Sequence, residues 1–565
     1  MIGVAMKELG AMPLMTGSRF FAEAMQAKGI THVFLVPTIV TPALAEMHQM
    51  GITCVTAHSE KAAVYMADGY ARMGRRAGIC MCQAVGAANL AAGLRDPFLA
   101  CSPVIAIAAG RFPETKYRHV YQEIDDMPLF APLTKFSAQV DMVERLPDLL
   151  RQAFRSALSD CPGPVHLELA GNFGQVTEGS ANLAREYDPQ IAQYPVHRPV
   201  ADAADIAEAA KVLSQARRPV IVAGGGVTRS AAQAEVVMLA EKLNMPVATS
   251  LSAKGAIAEN HRLSVGVVGS YSRDCANRVV AGADLVFYIG SRTGGQVTHS
   301  WQIPRPNTAV MQLDIAGEEL GRNYPNVASM CGDVRATLQA LLAVVEPLGP
   351  NPAWLGRVEQ FVQQWRSDVA RRRDSNATPM RPERICREIE AHLPADAVLV
   401  SDTGHAGIWT GTHIELHHPT QTYLRAVGSL GWGLPAAIGA KCAAPQRPVI
   451  CFTGDGGFYY HMGELETAVR YGVPVVIVVN DNHSLNQEAP IFNAAYGGRQ
   501  TTGLEMWQFN DVDLSKVAEA MGCYAVRVME PADIGPALLG ALASGRPALV
   551  DVVSDLAAVA PDPWS

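Results

Sequence analysis

The sequence predicts an α/β protein of three doubly wound parallel-sheet domains. Three observations carry that reading. The chain has 565 residues, too many for one core and suited to about three domains of roughly 100–200 residues each. Residues 448–486 read as strand, glycine turn, helix, strand, the βαβ unit that places both strands in one parallel sheet. Similar alternation occurs twice earlier, and polar, proline-bearing stretches separate the three blocks.

In chain order, residues up to about 15 read as a loose extension. A helix over Arg19–Lys28, a strand over His32–Val36, a loop and helix, and a strand over Thr53–Ala57 follow. Glu60 opens a helix through Ala71, and alternation continues to about Leu169, so the first domain spans 16–187. The stretch 187–199 is expected to be a linker. The second domain, 200–346, has apolar strands Val220–Ala223 and Leu285–Tyr288, which lead to Gly224-Gly225-Gly226 and Gly290-Ser291-Arg292. A second linker is expected from about Pro347 to Pro382. The third domain, 382–556, opens with a strand over Ala397–Ser401. Its βαβ unit has apolar runs Val449–Thr453 and Val475–Val479 around a helix carrying Leu465, Ala468 and Val469 on one stripe.

Composition narrows the function classes. Net charge is −8 and no basic run exceeds Arg371-Arg372-Arg373, which argues against a nucleic-acid partner. That arginine run is expected on a solvated helix face or linker. No apolar span of about 18 residues suggests a membrane helix, and no signal peptide is evident. Eleven scattered cysteines show no metal-ligand spacing, so free thiols and a cytoplasmic location are expected.

The chemistry concentrates where the third domain's strands end. Gly454-Asp455-Gly456-Gly457 follows one strand, and Asn480-Asp481-Asn482 follows the next. Strands of one parallel sheet end on the same edge, over a crevice where such sheets bind ligands. Gly456 and Gly457 let backbone N–H groups approach an anion. A carboxylate and an amide beside a phosphate suit Mg²⁺, which prefers oxygen ligands shared with substrate phosphates. A plain glycine turn is the competing reading for the four residues alone.

Gly454-Asp455-Gly456, with Asn482 placed 27 positions after the Asp, resembles the thiamin diphosphate motif of 2-oxo acid decarboxylases and acetolactate synthases. The resemblance implies the thiamin diphosphate-binding fold. It also implies a Mg²⁺ held by Asp455, Asn482 and the backbone carbonyl of Ser484, with Leu485 at the motif's apolar position. Asn480 and Asp481 stay open as ligands should the register slip.

The resemblance extends over most of the chain. The segment His58-Ser59-Glu60 to Arg72 is similar to the acetolactate synthase segment whose Glu hydrogen-bonds the cofactor's pyrimidine ring and moves a proton on it, which implies that role for Glu60. An acid in a first helical turn also complements the helix dipole, which is the plainer reading. Gly86 and Asn89 match a cofactor-side turn, although Ala84 and Val85 depart from it. Tyr121-Gln122-Glu123 resembles a Phe-Gln-Glu whose Gln faces substrate, so Gln122 is a candidate catalytic residue. In the third domain, Thr403, Gly404 and His405 are implied near the diphosphate. Gly428 is implied to offer a carbonyl to the aminopyrimidine, and Leu430 to wedge between the rings and bend the cofactor, an orientation effect. An exposed loop Gln, a surface His and a core Leu are the plain alternatives.

Two features depart from the family. The loop Leu35 to Val40 is bulky where acetolactate synthases are glycine-rich, and the adjacent His pair of pyruvate-type decarboxylases is missing. In the middle domain the family's FAD-contacting Arg-Phe-Asp-Asp becomes Arg292-Thr293-Gly294-Gly295, so a structural role is preferred there over FAD, with ADP also open. The expected activity is an acetolactate synthase-like carboligase: a 2-oxo acid loses CO₂, and the acyl carbanion equivalent joins a second carbonyl. The alternatives are a simple decarboxylase or carbon–carbon lyase of the same fold, and, from another class, a nucleotide-binding regulatory module. The partners expected are small carbonyl substrates and a second copy of the chain, in a homodimer or homotetramer with active sites between subunits.

Overall fold

The computed structural model describes residues 14–185 and 187–560. Most of the expected N-terminal extension lies outside these residues. Leu14–Thr16, at its end, is a strand paired antiparallel with Ser180–Asn182.

Three six-stranded sheets form the frame, and every ladder within them is parallel. Their strands are near-continuous apolar runs because helices cover both faces. The first sheet runs, edge to edge, Thr53–Thr56, His32–Leu35, Gly78–Cys82, Val104–Ala109, Val165–Leu169 and Phe136–Val140. The third runs Thr422–Arg425, Val398–Ser401, Val449–Gly454, Val476–Asp481, Ala548–Val553 and Tyr524–Val528. Counted along the chain, both have the order 2-1-3-4-6-5. The middle sheet has the order 3-2-1-4-5-6, from Ser264–Val267 across to Asn326–Cys331. In each sheet the direction of winding reverses beside the first strand, and that reversal opens a crevice at the strand C-termini. The third sheet's reversal falls between Val398–Ser401 and Val449–Gly454, which end at Asp402 and Asp455. The α/β reading thus holds in all three sheets.

The described chain makes two compact units. One comprises the residues up to Val196 with Ile438–Ala444; the other comprises His197–Ala437 and the residues from Pro445 onward. The first unit contains the first sheet, and the second unit contains the other two. Inside the second unit a buried ionic network joins the sheets. Lys254 Nζ lies 2.6 Å from Glu259 Oε2, and Arg273 reaches both Glu259 and Glu415 at 3.2 Å. The Arg273 guanidinium stacks 4.5 Å from the Trp365 ring centre. Buried charges tolerate desolvation only when paired in this way, and removing one partner strands the others.

The second expected linker is a correction. Residues Pro352–Arg373 form a 22-residue helix, with Trp354, Val358 and Trp365 buried. The arginine run is its last turn, where cations complement the dipole, and Arg373 pairs with Glu390 at 2.8 Å. The βαβ helix also differs from expectation. It is two short helices, Asp455–His461 and Glu464–Arg470. Among the described residues no helix is long and apolar enough to cross a membrane.

Two fully buried histidines make the fold acid-sensitive. His166 stacks flat on Phe130 at 3.5 Å, and His413 packs among Trp365 and Trp409. Burial pushes each imidazole down to about 3, and Arg373 and Arg273 add to the effect at His413. Unfolded, both titrate near 6.5, so the unfolded chain binds more protons as pH falls below that value, and stability is lost as pH drops from about 6.5 toward 3. At pH 5 each site is expected to remove about 2 kcal/mol. Melting temperature measured from pH 7 to pH 5 should fall, and His413→Phe should make the decline shallower.

Candidate functional site

The third sheet gathers its predicted residues at one edge. Asp455 is buried directly after Val449–Gly454. Its Oδ1 accepts from Gly456 N at 2.7 Å and its Oδ2 from Ser484 N at 2.8 Å. Ser484 Oγ donates to Asn482 Oδ1 at 2.9 Å. Asp455, Asn482 and Ser484 are therefore drawn into one buried polar knot. Leu485 lies against Gly456, where an added Cβ would collide with its side chain, and a Cβ on Gly457 would lie 2.8 Å from Thr453 Oγ1. These glycines are required by that packing, whatever else they do.

Asp481 turns toward the same knot. One oxygen each from Asp455 and Asp481 and a ring nitrogen of His483 lie within 4.8 Å of one another. Asp481 Oδ2 and Asn480 Oδ1 are buried without a hydrogen-bond partner among the described residues. Burial first, and the Asp481 carboxylate second, push Asp455 well above the usual carboxylate range; the same two causes push Asp551 up to about 8. This set of buried oxygen donors, holding more negative charge than it has partners for, fits a hard divalent cation such as Mg²⁺.

Around the knot, His405 Nδ1 is 2.8 Å from Asn486 Oδ1, and Asn486 Nδ2 donates to the carbonyls of Leu556 and Ala558 at 3.1 Å. Burial lowers the His405 pKa, so the ring is held neutral, with Asn486 partly opposing. Thr403 and Gly404 continue the strand end. Gly404 has φ +66°, and a Cβ there would lie 2.9 Å from Gln487 Oε1. Gly428 is exposed at φ +143° with open space where a Cβ would be, and Leu430 is half-buried in the same turn.

Sequence reasoning missed Asp402 and Asp551. Asp402 is fully buried. It accepts from the backbone N–H groups of Thr403 (2.7 Å), Gly431 (3.1 Å) and Gly433 (2.9 Å), which pins the glycine turn carrying Leu430. An acid at a strand end before a glycine-rich turn was the available signal for Asp402. For Asp551 it was a lone acid inside the apolar strand Ala548–Val553.

The first sheet assembles the other predicted set. Glu60 begins the helix Glu60–Gly74, whose N-cap Ser59 accepts from Ala62 N. Asn89 Nδ2 donates to Glu60 Oε2 at 3.1 Å. Gln83 Nε2 donates to Gln122 Oε1 at 2.9 Å. Gln122 sits at φ +62°, a strained backbone of the kind that collects at functional sites. Glu60 is half-buried. A Cβ on Gly86 would lie 2.6 Å from Glu60 Oε1, so only glycine lets the carboxylate stand there. Gly86→Ala should displace it and lower kcat at least tenfold. Melting temperature should stay within about 3 °C of the parent, measured by calorimetry beside steady-state kinetics.

The middle sheet's glycine turns have a local explanation. A Cβ on Gly226 would lie 2.6 Å from Gly290 Cα, and one on Gly224 would collide with the Gly290 carbonyl. Each turn fills the other's side-chain space, so a nucleotide is not needed to account for these glycines.

Comparison with known proteins agrees with the geometry. Residues 402–552 match the thiamine pyrophosphate enzyme C-terminal binding domain, 206–341 the central domain and 15–129 the N-terminal binding domain. The probable acetolactate synthase large subunit of Methanocaldococcus jannaschii is 33% identical, over 97% of this chain and 93% of its own length. That of Methanococcus aeolicus is 30% identical, over 96% and 92%. The acetolactate synthase isozyme 3 large subunit of Escherichia coli is 27% identical, over 96% of each chain. Thiamine pyrophosphate is another name for thiamin diphosphate, and with matches to all three of its domains this chain belongs to the thiamine pyrophosphate enzyme family, as an enzyme of the acetolactate synthase type.

Proposed function

We propose that this chain is a Mg²⁺-dependent carboligase that decarboxylates a 2-oxo acid and transfers its acyl unit to a second carbonyl. The observation that carries the proposal is the buried Asp455 carboxylate, held by two backbone N–H groups beside Asn482 and Ser484. Asp455, the Asn482 amide and the Ser484 carbonyl hold the metal in this reading, with Asp481 adding charge beside them. Gly456, Gly457, Leu485, Thr403, Gly404 and His405 shape the diphosphate end; Gly428 and Leu430 shape the ring end. Thiamin diphosphate, when bound, would supply an acidic ring carbon to add to a carbonyl, and its cationic ring would take up the electrons left as CO₂ departs.

The chain's own residues handle protons and position. Glu60 exchanges a proton with the cofactor's pyrimidine through its carboxylate, which Asn89 orients. Gln122, held by Gln83, presents its amide toward the substrate carbonyl. We further propose a homodimer or homotetramer, the domain limits 16–187, 200–346 and 382–556, and a cytoplasmic enzyme, the compartment that eleven free cysteines suit.

Product analysis with pyruvate tests the reading. A coupled acetohydroxy acid supports ligation. Acetaldehyde alone would assign the chain to simple decarboxylation, and no CO₂ release from any 2-oxo acid would end the proposal.

A further inference from the structure

Arg111 is a buried cation that the reaction described above does not use. It is 4% exposed and lies two residues beyond the strand Val104–Ala109. That strand pairs with Gly78–Cys82, beyond which Gln83 sits. Nη1 of Arg111 is buried and has no hydrogen-bond partner among the described residues. A guanidinium has five donors in a rigid fork, and its burial is tolerated where a planar anion meets it.

Two of the carboxylates within its field are engaged elsewhere. Glu168, 2% exposed, accepts from Gln139 Nε2 at 2.5 Å. Glu123 accepts from the backbone N–H groups of Tyr117 and Val120. Asp126 is 5% exposed and lies within the field of Arg111. Burial raises the pKa of both Glu168 and Asp126, and the Arg111 charge pulls each the other way.

Position ties this cation to the candidate site. Glu123 directly follows Gln122, and the field of Arg111 reaches it. Gln83 and Arg111 follow neighbouring parallel strands at the same sheet edge, and Gln83 Nε2 donates to Gln122 Oε1.

We propose that Arg111 is a specificity-determining residue that binds the carboxylate of a 2-oxo acid as its carbonyl docks beside Gln122. The inference rests on the function proposed above and names the group that reads the substrate's charge. Its consequence is selection of acidic carbonyl compounds over neutral aldehydes of the same length.

The test uses the cofactor-loaded enzyme with pyruvate, acetaldehyde, oxamate (an unreactive carboxylate of pyruvate's shape) and oxamide, its uncharged counterpart. Oxamate should bind at least tenfold more tightly than oxamide by calorimetry; equal binding overturns the proposal. R111Q should weaken oxamate binding and raise the pyruvate KM at least tenfold each, with the effect falling on KM more than on kcat. A rise in KM for CO₂ release places Arg111 on the donor. A shift of product from acetolactate toward acetoin, when acetaldehyde competes as acceptor, places it on the acceptor. R111K keeps the charge without the fork and should fall between the two; it carries the test if R111Q does not fold. Oxamate affinity within twofold of the parent in R111K and in any folded R111Q overturns the assignment. Oxamate binding that depends on Arg111 in an enzyme releasing no CO₂ from any 2-oxo acid would sink the proposed reaction and support the anion site.

Discussion

Glu60→Gln is expected to lower kcat by about a thousandfold, within the range that loss of a general acid–base group produces. The substitution keeps the size of the side chain, and an amide oxygen still accepts from Asn89 Nδ2, which now meets Glu60 Oε2 at 3.1 Å. The helix behind it stays capped, because Ser59 accepts from Ala62 N. Loss of an acid from the first turn removes only about 0.3–1 kcal/mol of dipole stabilisation. What disappears is the ability to take and return a proton. Steady-state kinetics paired with thermal melting separates the two. More than a tenth of parental kcat in a folded variant would remove Glu60 from the chemistry.

Asp455→Asn should weaken Mg²⁺-dependent thiamin diphosphate binding at least a hundredfold, about 2.7 kcal/mol. Both Asp455 oxygens accept backbone N–H groups, from Gly456 and Ser484. An amide turns a donor toward one of them and withdraws the charge a divalent cation needs. The unloaded protein should respond differently. Burial and the neighbouring Asp481 already push Asp455 toward its protonated form, so a neutral side chain relieves repulsion there while losing one hydrogen bond, about 1 kcal/mol. Melting of the unloaded variant should stay within about 3 °C of the parent. A large stability loss with cofactor affinity unchanged would make Asp455 a structural residue.

How much the chain declares about itself depends on burial. Runs such as Val449–Thr453 and Val475–Val479 are legible because strands covered on both faces carry little but apolar residues. The Gly454-Asp455-Gly456 turn and Asn482 are legible because their spacing along the chain survives folding. The helix Pro352–Arg373 reads as a linker because only three of its large apolar side chains are buried, so its stripe is diluted by arginine and glutamine. The turn at Met462-Gly463 splits an expected helix in two, and no periodicity over so short a segment reveals that break. Asp402, Asp551 and Arg111 stayed hidden for a different reason. Each is one charged residue in or beside an apolar strand, and its meaning comes from partners far away in the chain: Gly431 and Gly433 for Asp402, Asp481 for Asp551.

The central claim is that the Asp455 knot grips a metal-bridged diphosphate, and a calorimetric titration of the stripped protein with thiamin diphosphate tests it most directly. With Mg²⁺ present, one molecule should bind per chain. In excess EDTA the affinity should fall at least a hundredfold. Equal affinity with and without the metal, or no binding under either condition, would contradict the account.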